Sequence, residues 1–136
     1  MGAWSHEPFG NDTACDWVYD LLETEDFSLI ESALDAVMEN GDEYLNSDVA
    51  SEAIAAIEVI VKLLGKSTQT DGYTEEIDEW VKKHKQQPTQ ELLQKAQQVL
   101  NRIQSPESEL LELWEEGEGG TEWKTTLQQL STFLKT

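Results

Sequence analysis

The sequence predicts an all-α protein, a single compact bundle of about seven helices around a buried central helix at residues 47–64. Three observations support this fold class. Apolar residues recur at helical spacing through most of the chain, Gly or Pro separates the helical stretches, and no stretch shows the alternation of a strand. A chain of 136 residues has the usual length of one domain, so we expect a single domain over residues 1–136, with flexible connectors near 65–72 and 116–120.

The first two helices are predicted from their capping residues and their apolar stripes. Asn11 is a competent N-cap for a helix over residues 11–23, whose apolar positions repeat every three or four residues. The second helix runs from residue 26 or 27 to residue 40. Gly41 follows it, where a left-handed residue commonly ends a helix.

The third helix, residues 47–64, is apolar on almost all sides, which is typical of a helix that several neighbours bury. Its charged residues Glu58 and Lys62 have the favourable i, i+4 spacing, and they predict one solvent-exposed strip. Gly65 ends the helix. We therefore expect this helix to be the central element of the core.

Four shorter helices are predicted in the second half of the chain. Pro88 stops the first of them, and Thr89 begins the next. Ser105 followed by Pro106 predicts an N-cap and a first helical residue, and Thr121 predicts the cap of the last helix. The predicted limits are 74–84, 89–104, 105–116 and 121–134.

Charge is distributed very unevenly along the chain. Twenty-eight Asp and Glu against nine Lys and Arg give a net charge of −19, and the first 61 residues contain fifteen carboxylates and no Lys or Arg. Such a surface repels nucleic acid and anionic lipid, so we expect neither a nucleic-acid nor a membrane partner. It attracts a basic protein. The alternative is that the charge only keeps the protein soluble.

Other features of the composition favour a cytoplasmic location. The single cysteine, Cys15, excludes an internal disulfide and fits a reducing compartment. Glu58 and Lys62 interrupt the longest apolar run, so no membrane span is expected. The N-terminus lacks the basic and apolar regions of a secretory signal.

The aromatic-rich N-terminal stretch is the region most open to a functional interpretation. We expect it to pack onto the surface of the bundle, with Trp4 and Phe9 folded over the first helix. His6, Asp12 and Asp16 offer one nitrogen and several oxygens that suit a divalent cation. A small metal-dependent site or enzyme is therefore one alternative. The other interpretation is that these residues have capping and surface roles. In that case we expect the protein to bind no metal and no cofactor.

No side chain in the sequence stands out as catalytic. Cys15 would need a neighbouring base, and the carboxylates of Asp12 and Asp16 disfavour its thiolate. His84 lies at the end of an apolar face, which predicts a packing or capping role. Because the sequence also lacks a glycine-rich phosphate loop and a Cys-x-x-Cys motif, we assign no catalytic residue.

The chain opens Met1-Gly2-Ala3-Trp4, followed by Phe9, Asn11-Asp12, Ala14 and Asp16-Trp17. This opening resembles that of a family of small uncharacterised bacterial proteins. Those proteins open Met-Gly-Ala-Trp-Gly, followed by Phe-x-Asn-Asp and an Ala-x-x-Trp helix, whereas this chain has Ser5 in place of the last Gly of that opening. The stretch LLELWEE at 110–116 and Glu122-Trp123 are similar to the family's C-terminal elements. The resemblance implies a domain of unknown function and assigns no catalytic residue. The residues of the N-terminal motif in this chain are Trp4, His6, Phe9, Asn11, Asp12, Asp16 and Trp17.

The leading functional hypothesis is a non-enzymatic acidic module that binds a basic protein, such as an inhibitor or immunity-type protein that masks a cationic toxin. Carboxylates on the first two helices would form the binding patch. The metal-dependent site is the second hypothesis, and a structural subunit or homodimer is the third, because the sequence leaves the oligomeric state open. The predicted patch residues are Asp12, Asp16, Asp20, Glu31, Asp35 and Glu39.

Overall fold

The computed structural model describes residues 7–70, 72, 74–84, 86–117 and 119–135. Within these ranges the chain forms seven α-helices and no strand, which confirms the predicted all-α class. None of these helices combines the length and the apolar character needed to cross a bilayer. In chain order the helices are α1 (Asp12–Leu22), α2 (Ser28–Glu39), α3 (Ser47–Leu63), α4 (Glu75–Lys83), α5 (Gln90–Ile103), α6 (Glu109–Glu116) and α7 (Gly120–Leu134).

Helix α3 lies at the centre of the bundle and packs against each of the other six helices. Residues 53–62 are buried without a break. The sequence explains this position, because Ala, Ile and Val occupy almost all faces of the helix over residues 53–61. The predicted central helix is therefore confirmed.

Helix α1 shows how the outer helices attach to this centre. Ala14, Trp17 and Leu21 are buried, and their spacing places them on one face of the helix. The side chain of Asn11 accepts a hydrogen bond from the backbone N–H of Ala14 at 2.8 Å, as expected of an N-cap. Burial of each large apolar side chain contributes roughly 1.5–3 kcal/mol, so the stripe rather than the cap dominates attachment.

Glycines end α2 and α3 as predicted. Gly41 and Gly65 have φ angles of 62° and 86°, in the left-handed region that favours glycine. Arg102 of α5 then provides hydrogen-bond donors for backbone carbonyl groups in the chain that follows α2. Its guanidinium donates to the carbonyl oxygens of Gly41 at 2.8 Å and of Glu43 at 2.5 Å.

The predicted start of α6 is wrong. The helix begins at Glu109 instead of Pro106, and Ser108 is its N-cap instead of Ser105. The hydroxyl of Ser105 donates to the carbonyl oxygen of Arg102 at 2.6 Å, so it ends α5 and does not begin α6.

Long-range backbone pairing explains this shift of α6. Leu45 donates its N–H to the carbonyl oxygen of Glu107 at 2.7 Å and accepts from the N–H of Glu109 at 2.9 Å. Leu45 is fully buried, so these backbone groups have no water to replace the pairing. The pairing holds Glu107 at a φ of 66°, which a right-handed helix does not allow.

The predicted solvent-exposed strip of α3 is also wrong. Glu58 is 0% exposed and Lys62 is 7% exposed. The chain after α3 turns back over the helix, and residues 67–69 cover both side chains with hydrogen-bonding groups. The predicted flexibility of the connectors near 65–72 and 116–120 and the single-domain organisation stay predictions.

The N-terminal segment, residues 7–10, packs onto the bundle. Phe9 is fully buried, and its N–H donates to Oε1 of Gln69 at 3.0 Å. Its carbonyl oxygen accepts from Sγ of Cys15 at 3.5 Å. The predicted packing of the aromatic stretch is therefore confirmed for Phe9, whereas Trp4 and His6 lie outside the described residues.

Candidate functional site

The acidic face of α1 faces solvent. Asp12, Asp16 and Asp20 are exposed and recur every four residues, on the side of the helix away from its buried apolar stripe. Within the described ranges, no Lys or Arg forms an ion pair with any of the three. This face therefore carries three charges that the described part of the chain does not neutralise.

Helix α2 contributes the other predicted patch residues, and one of them is paired. Glu31 and Glu39 are exposed, whereas Asp35 accepts a hydrogen bond from Nζ of Lys95 at 2.6 Å. That hydrogen bond raises the pKa of Lys95. The charges of Glu31 and Glu91 raise it further, which shows that carboxylates from both α2 and α5 surround this ammonium.

The first turns of α3 add carboxylates beside α1. The hydroxyl of Thr13 on α1 donates to Oδ1 of Asp48 on α3 at 2.9 Å. Burial raises the pKa of Glu52, and the charges of Asp48 and Asp20 raise it further. The acidic face of α1 therefore continues onto α3. Residue spacing within either helix could not predict this extension, because the two helices become neighbours only in the folded bundle.

A polar cleft with a volume of about 710 Å³ lies between the start of α2 and the start of α5. Phe27 and Leu92 give it some apolar surface, and Ser and Gln side chains line most of the remainder. Carboxylates outnumber ammonium groups in it, so the cleft favours a cationic guest. Its charged lining residues are Asp26, Glu31, Asp35, Glu91 and Lys95.

The aromatic residues of the N-terminal motif have structural roles where they are described. Phe9 is fully buried and Trp17 is 4% exposed, so both belong to the core. Asn11 of the same motif is the N-cap of α1. Nε1 of Trp17 is buried, and no hydrogen-bond partner for it lies among the described residues.

The weak metal candidate stays a prediction. Asp12 and Asp16 are exposed on α1, and the third candidate ligand, His6, is outside the described residues. In the part of the chain that is described, no group of three or more His, Cys, Asp or Glu side chains is placed to hold a metal ion.

Cys15 lies between two of these carboxylates on α1. Burial raises the pKa of its thiol, and the charges of Asp12 and Asp16 raise it further. The thiol is therefore the favoured form near neutral pH, and a thiol is a weak nucleophile. His84 caps and packs as predicted: its ring stacks on that of Trp80, with centroids 4.3 Å apart.

The comparison with known proteins identifies a family for the chain. No curated protein and no solved structure matches it. The family described as "Domain of unknown function (DUF4259)" matches residues 2–126, which is most of the chain and includes the N-terminal motif and the stretches at 110–116 and 122–123 on which the resemblance depended. The chain belongs to the DUF4259 family.

Proposed function

We propose that this protein is a non-enzymatic acidic module that binds a basic protein surface, as an inhibitor or immunity-type protein does. One observation carries the proposal. Eleven of the fifteen carboxylates in the first 61 residues are exposed, and that stretch contains no Lys or Arg. The first base, Lys62, is buried beneath the loop after α3, where it does not neutralise this surface.

Electrostatics explains why such a surface suits a basic partner. An array of like charges steers an oppositely charged protein during encounter and aligns it on docking. At physiological ionic strength the screening length is about 8 Å, so carboxylates on α1 act together with those nearby on α3. The single cysteine favours a reducing compartment, and we expect the partner to be met in the cytoplasm.

The cleft between α2 and α5 gives this surface a concave part. A Lys or Arg side chain of the partner would place its aliphatic stem against Phe27 and Leu92 and its charge near Glu31. Lys95 already forms an ion pair with Asp35, so an incoming cation competes with Lys95 for this carboxylate. This competition favours a partner that presents several basic residues over one that presents a single cation.

A labelled nona-arginine peptide provides a direct test. We expect saturable binding that weakens steeply between low and high ionic strength. The double variant Asp16→Asn/Asp20→Asn should lower the affinity about three- to tenfold at low salt, because each exposed charge contributes up to about 1 kcal/mol. The matched variant Glu75→Gln/Glu76→Gln, on α4, removes the same charge from another exposed surface.

The two variants separate the proposal from its alternatives. Equal losses of affinity would show that only net charge matters, and the patch would then have no special role. Binding that does not depend on salt, or no binding at all, would contradict the proposal. A mass in solution that rises with protein concentration would favour the homodimer instead.

A further inference from the structure

A fully buried carboxylate holds the loop that follows α3. Residues 67–69, called the strap here, surround Glu58. The carboxylate accepts from the backbone N–H groups of Thr68 at 3.0 Å and Gln69 at 3.1 Å. It also accepts from the hydroxyls of Thr68 at 2.7 Å and Ser67 at 3.0 Å. One side chain of α3 therefore organises the whole strap.

The strap in turn holds the N-terminal segment, residues 7–10. Oε1 of Gln69 accepts the N–H of Phe9 at 3.0 Å, and the same residue donates its own N–H to Glu58. Phe9 is fully buried, so its backbone N–H has no access to water while the segment is in place. Displacement of the strap from Glu58 therefore removes the hydrogen-bond acceptor that holds Phe9.

The charges beneath the strap do not balance. Nζ of Lys62 lies 2.8 Å from Oδ1 of Asp78 on α4, and 3.7 Å from Oε2 of Glu58 on its own helix. One ammonium thus serves two carboxylates, and it is closer to Asp78. The excess negative charge falls on Glu58, which is the more buried of the two acids.

Burial accordingly raises the pKa of Glu58. The hydrogen bonds from Thr68 and Gln69 and the charge of Lys62 act in the opposite direction, but burial has the larger effect. When Glu58 is neutral, Lys62 and Asp78 remain as an ion pair. The strap itself faces Glu58 only with uncharged groups.

The hydrogen bonds can be rearranged around a neutral carboxyl group. When Glu58 is neutral, the Ser67 hydroxyl can turn its single proton to the carbonyl oxygen of Gln69, 2.7 Å away, and its Oγ can then accept the hydrogen bond of the carboxyl proton on Oε2 of Glu58, 3.0 Å away. Nζ of Lys62 donates to the second lone pair of the same Oγ at 3.0 Å. The N–H of Gln69 remains 3.1 Å from Oε2 of Glu58, and the N–H of Thr68 lies 3.3 Å from Oε1, which stays an acceptor in the neutral carboxyl group. The closed strap therefore accommodates the protonated side chain as well as the carboxylate.

We propose that the strap and the N-terminal segment open as one unit, and that a proton on Glu58 holds this unit closed. Opening admits water to Glu58, which then regains its ordinary acidity and releases the proton. Because the closed form has the raised pKa, closure is favoured as the pH falls through that pKa, and opening becomes easier as the pH rises through it. This inference is independent of the proposed binding function.

Amide hydrogen exchange in the intact protein tests the proposal. The N–H groups of Phe9, Thr68 and Gln69 should share one opening constant, because a single event frees all three. After correction for the intrinsic pH dependence of exchange, that constant should rise with pH by up to about tenfold per pH unit between the ordinary and the raised pKa of Glu58. Three different constants, or a constant that does not rise, would overturn the proposal.

Two matched variants assign the effect to Glu58. Glu58→Gln should abolish the rise of the opening constant with pH, whereas Glu52→Gln should preserve it. Glu52 lies on the same helix and also has a pKa raised by burial, but its charged neighbours are Asp48 and Asp20. A rise that persists in Glu58→Gln would contradict the proposed role of Glu58.

A titration of the unsubstituted protein needs no variant. The side-chain carboxyl carbon of Glu58, followed by NMR, should titrate above the usual glutamate value of 4.5. A midpoint at or below 4.5 would overturn the proposal even if Glu58→Gln failed to fold.

Discussion

At the scale of single residues, the two buried charges of α3 control local stability. Lys62 contacts Asp78 at 2.8 Å and also donates to the carbonyl oxygen of Gln69 at 2.7 Å. Glu58 is fully buried, so the charge of its carboxylate is compensated by Lys62 and not by water. A buried ion pair adds little net stability, but the loss of one partner is strongly destabilising.

We therefore predict that Lys62→Met lowers the free energy of unfolding by ~3–5 kcal/mol at a pH above the raised pKa of Glu58, because there both carboxylates are ionised and lose their counter-charge. The loss should shrink as the pH falls and Glu58 takes up a proton. Urea denaturation followed by circular dichroism measures it. The control Lys82→Met breaks the exposed pair with Glu79, at 3.7 Å, and should change stability far less. Similar losses in both variants would contradict the prediction.

Cys15 gives a second prediction at this scale. Burial and the charges of Asp12 and Asp16 raise its pKa, so alkylation by iodoacetamide should be slow near pH 7 and should accelerate as the pH rises. Asp12→Asn/Asp16→Asn should speed the reaction by about two- to threefold at fixed pH, because burial, the larger cause, remains. The alkylation rates of the two proteins are measured from their intact masses at successive times. A rate that falls in this variant would contradict the prediction.

At the scale of helices, the sequence predicts the end of a helix correctly where contacts between nearby residues determine that end. Asn11 caps α1 through a bond three residues away, and Gly41 ends α2 with its own φ angle, so both limits could be predicted from the sequence. Ser105 failed as a cap, because the pairing of Leu45 with Glu107 decides where α6 begins. No sequence pattern around Ser105 indicates that pairing, because Leu45 lies far away in the chain.

In the candidate site, too, features set within one helix could be predicted from the sequence, whereas features set by distant residues could not. Helical spacing was enough to predict that Asp16 and Asp20 lie opposite the buried stripe of α1. The ion pair of Asp35 with Lys95 joins residues 60 positions apart, so spacing within one helix could not predict it. The burial of Glu58 was missed because the strap that covers it comes from outside α3.

The turn between α6 and α7 gives a prediction at the scale of helices. An added Cβ at Gly120 would lie 2.5 Å from the carbonyl oxygen of Trp114, which is backbone and cannot move freely. Gly120→Ala should therefore lower the free energy of unfolding by ~1–3 kcal/mol, although Ala favours helices over Gly. Gly72→Ala is the control, because no atom of the described residues lies within 4 Å of its added Cβ. Thermal unfolding of both variants measures the difference, and equal midpoints would contradict it.

At the scale of the whole molecule, the net charge of −19 acts on folding and on binding in opposite senses. Exposed carboxylates such as Asp12, Asp16 and Asp20 repel one another in the folded state and separate when the chain unfolds. The same charges would attract a basic partner. Salt screens both interactions, so it should stabilise the fold and weaken the proposed complex.

We therefore predict that the unfolding temperature rises as NaCl is added, over the same range in which affinity for a nona-arginine peptide falls. Asp16→Asn/Asp20→Asn should flatten both dependences, since it removes charges that take part in both. Glu75→Gln/Glu76→Gln has the same net charge and should flatten the binding dependence less, because its two carboxylates lie on α4 and outside the acidic patch. If the two variants had the same effect on binding, net charge alone would govern association and the patch would lose its role. If salt lowered the unfolding temperature of the unsubstituted protein, attraction between opposite charges would outweigh repulsion among the carboxylates on its surface.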